Sequence, residues 1–442
     1  MSSPAALSRG FLVLTALASV AAASTAQWTP PPTAVTSLLV EDDVTLPGVV
    51  AAINGVRTVR GGAVFVNDRA NRRLVMLDGT LRLRRVVLDA TPATGGGYGR
   101  FATRLIALSG DSTGFLDGAS RTLTVIDAEG RVARRMTVPP EADLDALLRS
   151  SPTVDARGRL VYRGRGLSQR ELLQMGELGV RATPEEVPLL RLDLATGRVD
   201  TAATLQIYQQ QEKLVPVANG VSVQPVLHPA PTVDEWAMLS DGRIAVVRGA
   251  EYRVEFIAAD DRIEGGEPVR EPRPALDVTA KSALLASSRA TRRAMMAAGY
   301  PLGREVAPLP GAVFLSAPGT CVVTRASDGK EVAPIFGCGD AAADEWVRPD
   351  EVADRLPAFL PGAVRADADG RAWVQRITLD AADNGLLHDV IGSSGQRIDR
   401  VRLPVGTVIV GFLANGGVLL ATRDRGVLRL RRARYVPPRP LM

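Results

Sequence analysis

Histidine and cysteine are scarce in this chain, with two of each in 442 residues. The shortage of histidine excludes the most. His228 precedes Pro229 in what reads as a linker, and His388 falls inside a strand candidate. A His-rich zinc site needs more imidazoles than these two. A Ser-His-Asp triad needs only one, yet no G-x-S-x-G turn precedes a helical pattern. Lysine is the next shortage. Lys213, Lys281 and Lys330 are the whole complement, so 50 of the 53 basic residues are Arg. The net charge of +5 is modest for the length, and aromatic residues are 4% of the chain. No basic run interleaves with aromatics suited to base stacking, which argues against nucleic acid as a partner. The basic tail at 429–434 alternates only loosely and reads as a strand with an exposed Arg face. The Gly-rich stretch at 95–99 follows a proline and lacks the Lys of a phosphate loop, so it reads as a mobile loop. Nothing in these residues calls for a cofactor.

Long apolar runs are also missing, with one exception at the N-terminus. Arg9 precedes an apolar run over 11–23, and Ser24-Thr25-Ala26 follows with small residues where a signal peptidase reads. This is the pattern of a secretory signal peptide over residues 1–26, too short for a membrane span. The expected product is secreted or periplasmic after cleavage near Ala26, with no transmembrane segment. Export places Cys321 and Cys338 in an oxidising compartment, where a lone pair is expected to form a disulfide. Two free buried thiols are the alternative.

What the chain has in quantity is a repeated turn-and-strand unit. Leu239-Ser-Asp-Gly-Arg-Ile-Ala-Val-Val-Arg248 is echoed at 154–163, 366–376 and, more worn, 413–422. The turns fall near Gly62, Ser112, Gly158, Gly242, Gly370 and Gly416, with spacings of 46 to 50 where no insertion intervenes. That is the period of a four-stranded propeller blade. Six units follow, and the sixth ends one strand short. Residues 37–44 form an orphan strand at the other end of the chain. Placing the orphan in the last unit closes the ring and removes a sheet edge. The expected fold is all-β: a six-bladed β-propeller over 27–442, closed by an N-terminal strand.

Two additions interrupt the pattern. Asn219-Gly220 marks a hairpin between apolar runs, and its prolines argue for an edge position. The second addition is a helix-containing insertion at 278–345, between blades four and five. A helix is expected over 279–298, with Thr279 as its cap and Gly299 and Pro301 at its end. It is expected to pack as a lid on the main body rather than lie on a membrane. Strands are expected over 311–324 and 330–336, stapled by the two cysteines.

The runs Gly61-Gly-Ala-Val-Phe-Val-Asn-Asp68, Asn71-Arg-Arg-Leu-Val-Met-Leu-Asp-Gly79, Gly110-Asp-Ser-Thr-Gly-Phe-Leu-Asp117 and Asp234-Glu-Trp-Ala-Met-Leu-Ser-Asp-Gly-Arg243 resemble secreted bacterial six-bladed propellers of the NHL and TolB-like type. The resemblance covers most of the mature chain and implies the propeller fold. Such propellers include binding modules, lactonases and lyases. The lactonase-like ones use a calcium-type oxygen site. Asn67, Asp68 and Asp117 could supply such oxygens, or could cap strand ends and turns.

The ends of the second strands point to a surface. They carry Asp68, Asp117, Arg163, Arg248, Arg376 and Arg423. In propeller geometry these b–c ends share one face with the inter-blade loops. Guanidinium forks suit carboxylate and phosphate. The expected ligand-binding residues are therefore Arg163, Arg248, Arg376 and Arg423, with Asp68 and Asp117 on the same face. The ligand would be an unknown anion or a protein partner, and the chain a monomer. A solvated Arg rim, or Arg paired with Asp from the next blade, is the competing reading. The sequence supports a non-enzymatic binding or scaffolding propeller, with a metal-dependent hydrolase or lactonase as the alternative.

Overall fold

One turn recurs through the molecule and accounts for much of the arginine. In Asp155-Ala-Arg-Gly-Arg159 the Asp155 carboxylate accepts the N–H groups of Arg157 and Arg159 at 2.9 and 3.0 Å, and the Arg159 Nε at 2.8 Å. Asp367 does the same with Asp369, Arg371 and the Arg371 side chain. So does Asp127 with Glu129 and Arg131. The glycine before each arginine, Gly158, Gly370 or Gly130, has φ near +80°. Only glycine adopts that conformation without steric cost.

These turns separate the strands of a computed structural model that describes residues 35–437. Excepted are several internal segments, the longest being 165–179, 298–319, 323–334 and 337–344. Residues 1–34, and with them the expected signal peptide, lie outside the described residues. Among the described residues the strands outside the insertions fall into groups of four antiparallel strands in chain order: three groups stand as separate sheets, two join edge to edge in an eight-stranded sheet, and one carries a fifth, parallel strand. Each group of four is called a blade below, its strands a to d. Blade one is 53–88, blade two 103–137, blade three 153–206, blade four 235–268 and blade five 359–402. Blade six is 407–434 plus an N-terminal strand. The first strands of blades two and three meet in a parallel bridge, Thr153 to Ala107, so the a strands lie innermost. The b strands are buried on both sides, as in Val64–Asp68 and Thr113–Asp117, whereas the outer strand Val132–Thr137 is largely exposed.

The packing order is cyclic. Phe65 and Met76 of blade one meet Phe115 and Ile126 of blade two. Leu116 and Leu123 meet Leu160 and Leu192 of blade three. Val161 and Leu189 meet Val246 and Ile257 of blade four. Val247 and Phe256 meet Phe359 and Val374 of blade five. Trp373 and Val390 meet Ile409 and Leu420 of blade six. Leu419 and Leu430 then meet Val64 and Leu77 of blade one. Burying one such side chain contributes about 1.5–3 kcal/mol, while the exposed Arg131–Asp127 pair contributes about 0–1 kcal/mol and the buried Arg159–Asp155 and Arg371–Asp367 pairs lose much of their attraction to desolvation. The apolar interfaces therefore hold this β-propeller together, and the Asp–Arg turns shape its hairpins.

The orphan strand lies where the repeat pattern places it, with shifted bounds. Leu39–Thr45 pairs antiparallel with Val427–Arg434 as the outer strand of blade six. Just before it, Thr36–Ser37 pairs in parallel with Arg397–Arg402 of blade five. The N-terminal segment thus straps two blades.

The two additions are one module. Gln211–Val217 and Gly220–Leu227 form the Asn-Gly hairpin. Its second strand pairs with Thr320–Val322 and, further along, with Glu345–Trp346 from the later insertion. The hairpin is interior to a five-stranded path, not at its edge. The prolines are tolerated because the partner strands are short. Pro216 lies beyond the 211–213 stretch that pairs with Val180–Ala182, and Pro225 falls between the two partners of its strand. Cys321 lies on the Thr320–Val322 strand; Cys338 lies outside the described residues.

The helix runs over Val278–Ala297, and its cap is Asp277, not Thr279. The Asp277 carboxylate accepts the Ala280 N–H at 2.7 Å. Leu284 and Leu285 pack with Val226, Trp346, Val347 and Leu356. Gly299 and Pro301, its expected terminators, lie outside the described residues. Among the described residues no helix is long and apolar enough to cross a membrane.

Candidate recognition face

The face in question is where a strands begin and b strands end. Over blades three to five it carries the inserted module. Tyr208, just past the last strand of blade three, packs into the module's core, as do Leu360 and Ile377 of blade five. The helix is a lid on this face. The opposite end of the blades keeps the short Asp–Arg turns described above.

Asp234 organises the approach to blade four. Its carboxylate accepts the Gln206 N–H at 3.0 Å and the Gly249 N–H at 3.0 Å. The Arg248 Nη1 donates to it at 2.7 Å. The segment runs so close to the b–c turn that a Cβ on Gly249 would lie 2.1 Å from the Val233 oxygen. Only glycine fits there.

Arg248 therefore lies where the sequence places it, but its donors are engaged. Besides Asp234 it donates to Glu255 at 2.8 Å and to the Thr204 carbonyl at 2.7 Å. Arg376 is more committed still. It is buried, donates to Asp389 at 3.1 Å, and lies 4.5 Å from the Tyr252 ring centroid. Tyr252, from the b–c turn of blade four, donates its hydroxyl to the same Asp389 at 2.6 Å. Arg400 also binds Asp389, at 2.9 Å, and pairs with Glu271. Burial and the Asp389 charge push the Tyr252 hydroxyl pKa well above its usual value. Arg248 and Arg376 are thus paired, but with carboxylates of their own blades or the lead-in to them rather than with Asp from the next blade.

Asp68 and Asp117 serve their own turns. Asn71 Nδ2 and Arg73 Nε donate to Asp68 at 2.7 and 3.2 Å. Ser120 Oγ donates to Asp117 at 2.7 Å, and the Ala119 N–H at 3.3 Å. Asn67 accepts the Tyr98 hydroxyl at 2.7 Å. Of the Gly-rich stretch, residues 97–99 are described. Tyr98 is buried, Arg72 donates to its carbonyl at 3.0 Å, and a Cβ on Gly99 would lie 2.1 Å from Asp117 Oδ1. Among the described residues no group of three or more His, Cys, Asp and Glu side chains is placed to hold a metal ion. Arg423 is the penultimate residue of the Gly417–Asp424 strand, at this end of blade six.

Arg163 is different. Its one oppositely charged neighbour among the described residues is Glu235, at 4.0 Å, and both are partly exposed. Glu235 begins the innermost strand of blade four and accepts the Gly362 N–H from blade five at 2.8 Å. Gly362 belongs to an outward bulge. Phe359 pairs with Arg376 and Val364 with Val374, leaving 360–363 facing one residue. Sequence reasoning missed Glu235, Asp234, Tyr252 and Asp389. Asp234 and Glu235 stand at the start of a run quoted above only for its likeness to propeller proteins.

The two histidines are buried and neutral. Burial lowers His228 to about 4, against opposing contributions from Glu351, and the Ala230 N–H donates to its Nδ1 at 3.1 Å. Burial lowers His388 to about 3, helped by Arg365.

No family model matches the chain, and no curated relative does. Solved structures similar to it include a virginiamycin B lyase from Staphylococcus aureus, at 10% identity and TM-score 0.36, covering 89% of this chain and 99% of that one. A gluconolactonase from Xanthomonas campestris is 13% identical at TM-score 0.38, covering 92% and 99%. A member of the DUF4221 family from Bacteroides vulgatus is 8% identical at TM-score 0.44, covering 91% and 98%. These are propeller-type proteins. The fold of this chain is carried by its own sheet order and cyclic core.

Proposed function

We propose that this chain is an exported, non-catalytic binding propeller that recognises an anionic ligand or protein partner on its b–c face. One observation carries this reading. Two insertions from different blade connections, 211–227 and 278–346, join in one sheet and roof the same face. Loops held on a rigid scaffold are where recognition concentrates. The strand ends of blades three, four and five that carry Arg163, Arg248 and Arg376 lie at the same end of the blades.

A thermal-shift screen of the mature protein tests it. Acidic peptides and uronate oligosaccharides are expected to raise the melting temperature in a concentration-dependent way, since ligands of the native state stabilise it. Stabilisation by calcium together with turnover of a lactone, and no response to the anions, would replace this reading with the hydrolase one.

A further inference from the structure

The arginines of the b–c face differ in what their donors do. Arg248 is held by two carboxylates and a carbonyl at 2.7 to 2.8 Å. Arg376 is buried against Asp389 and Tyr252. Arg163 faces Glu235 at 4.0 Å, which is too long for a hydrogen bond, so its donors are not satisfied by that carboxylate. Glu235 is positioned instead by the Gly362 N–H at 2.8 Å. A second under-paired guanidinium stands within electrostatic reach. Arg365, on the innermost strand of blade five, has no carboxylate within ion-pair distance among the described residues. Burial lowers its pKa, and the Glu235 charge opposes that. The contact itself is between an incompletely paired cation of blade three and a carboxylate of blade four. Partly desolvated cations favour a further counter-ion.

The geometry points to a carboxylate seat formed by Arg163 and the Gly362 N–H. Glu235 occupies it in the free protein and is displaced by a ligand carboxylate. This rests on the recognition reading above and narrows it. Arg163 is the anion contact, whereas Arg248 and Arg376 are scaffold. A carboxylate suits the seat because a carboxylate already stands in it, with one oxygen on a backbone N–H and a guanidinium just beyond bonding distance. Exchange needs no rearrangement of the blades, because Arg163 makes no hydrogen bond that must first be broken among the described residues.

Titration calorimetry with a hexaglutamate peptide and, separately, an oligogalacturonate tests the seat and tells a peptide source from a sugar source. Arg163→Gln is expected to weaken binding about tenfold or more and to flatten its salt dependence. Glu235→Gln keeps an acceptor for the Gly362 N–H but removes the competing charge, so it is expected to tighten binding several-fold. A structural role for Glu235 would not produce tighter binding. Unchanged affinity in Arg163→Gln, or weaker binding in Glu235→Gln at an unchanged melting temperature, overturns the seat but leaves the recognition face standing. Failure of both probes to bind the unaltered protein overturns the two together.

Discussion

At the scale of the residue, arginine does two jobs here that lysine cannot. In the Asp-x-x-Gly-Arg turns its Nε closes onto the carboxylate that already holds the backbone, as Arg159 does with Asp155 and Arg371 with Asp367. At blade junctions its planar fork reaches two acceptors at once, as Arg248 does with Asp234 and Glu255. The histidines do a third kind of work, and it has a pH signature. Both are buried neutral, with folded values of about 4 and about 3 against an ordinary 6.5. A group depressed in this way contributes stability fully above its unfolded pKa. The contribution is lost as the pH falls from about 6.5 toward the folded values, because the unfolded chain takes up the protons first. The turn carboxylates Asp78, Asp193 and Asp241 are themselves held below their ordinary values and lose their contribution only at lower pH. Chemical denaturation is therefore expected to show stability falling between pH 6.5 and 4, at up to about 1.4 kcal/mol per pH unit for each histidine. His388→Gln should remove part of that slope. A flat profile across this window would contradict the burial of both imidazoles.

At the scale of the element, the closing strand carries the most consequence. Leu39–Thr45 contains Glu41, Asp42 and Asp43, and it lies beside a strand with Arg429, Arg431, Arg432 and Arg434. Asp42 stands opposite Arg432 and Asp43 opposite Arg431 in the register, and Arg434 pairs with Glu41 at 2.6 Å. Opposite charges in facing positions favour this pairing over a slipped one. Without the strand, Val427–Arg434 becomes an open edge. Deleting residues 35–45 is expected to lower the melting temperature by more than 5 °C and to produce dimers or larger species in size-exclusion chromatography. A monomer with an unchanged transition would show that the strand does not close the ring. This element was legible because its signals are local: a strand with no neighbour at one end, a blade one strand short at the other. The repeat period was legible for the same reason, since each turn carries its own Asp and Gly. The helix cap was not, because Asp277 and Thr279 are both competent caps and Leu284 and Leu285 meet their partners only in three dimensions. The prolines of the hairpin misled in a similar way. They pair within the hairpin and mark stretches open on the other side, where the partner strands are too short to reach them.

At the scale of the whole molecule, the sequence placed the arginines on one face and could not say what they touch. Tyr252 and Asp389 meet across 137 residues, and Gly362 meets Glu235 across 127. No periodicity encodes such pairs, so Arg163, Arg248 and Arg376 look alike in the sequence and differ in the fold. Nor does spacing reveal that two insertions from separate connections become one sheet over the same face. The proposed function rests on that asymmetry: the roofed face is expected to bind a ligand and the face of short turns is not. Hydrogen exchange followed by mass spectrometry, with and without saturating hexaglutamate, tests it most directly. Added protection is expected in peptides covering 160–164, 204–208, 228–235 and 358–363, with none at the turns around Gly130, Gly158 and Gly370. Protection at those turns, with the roofed face unchanged, would contradict it.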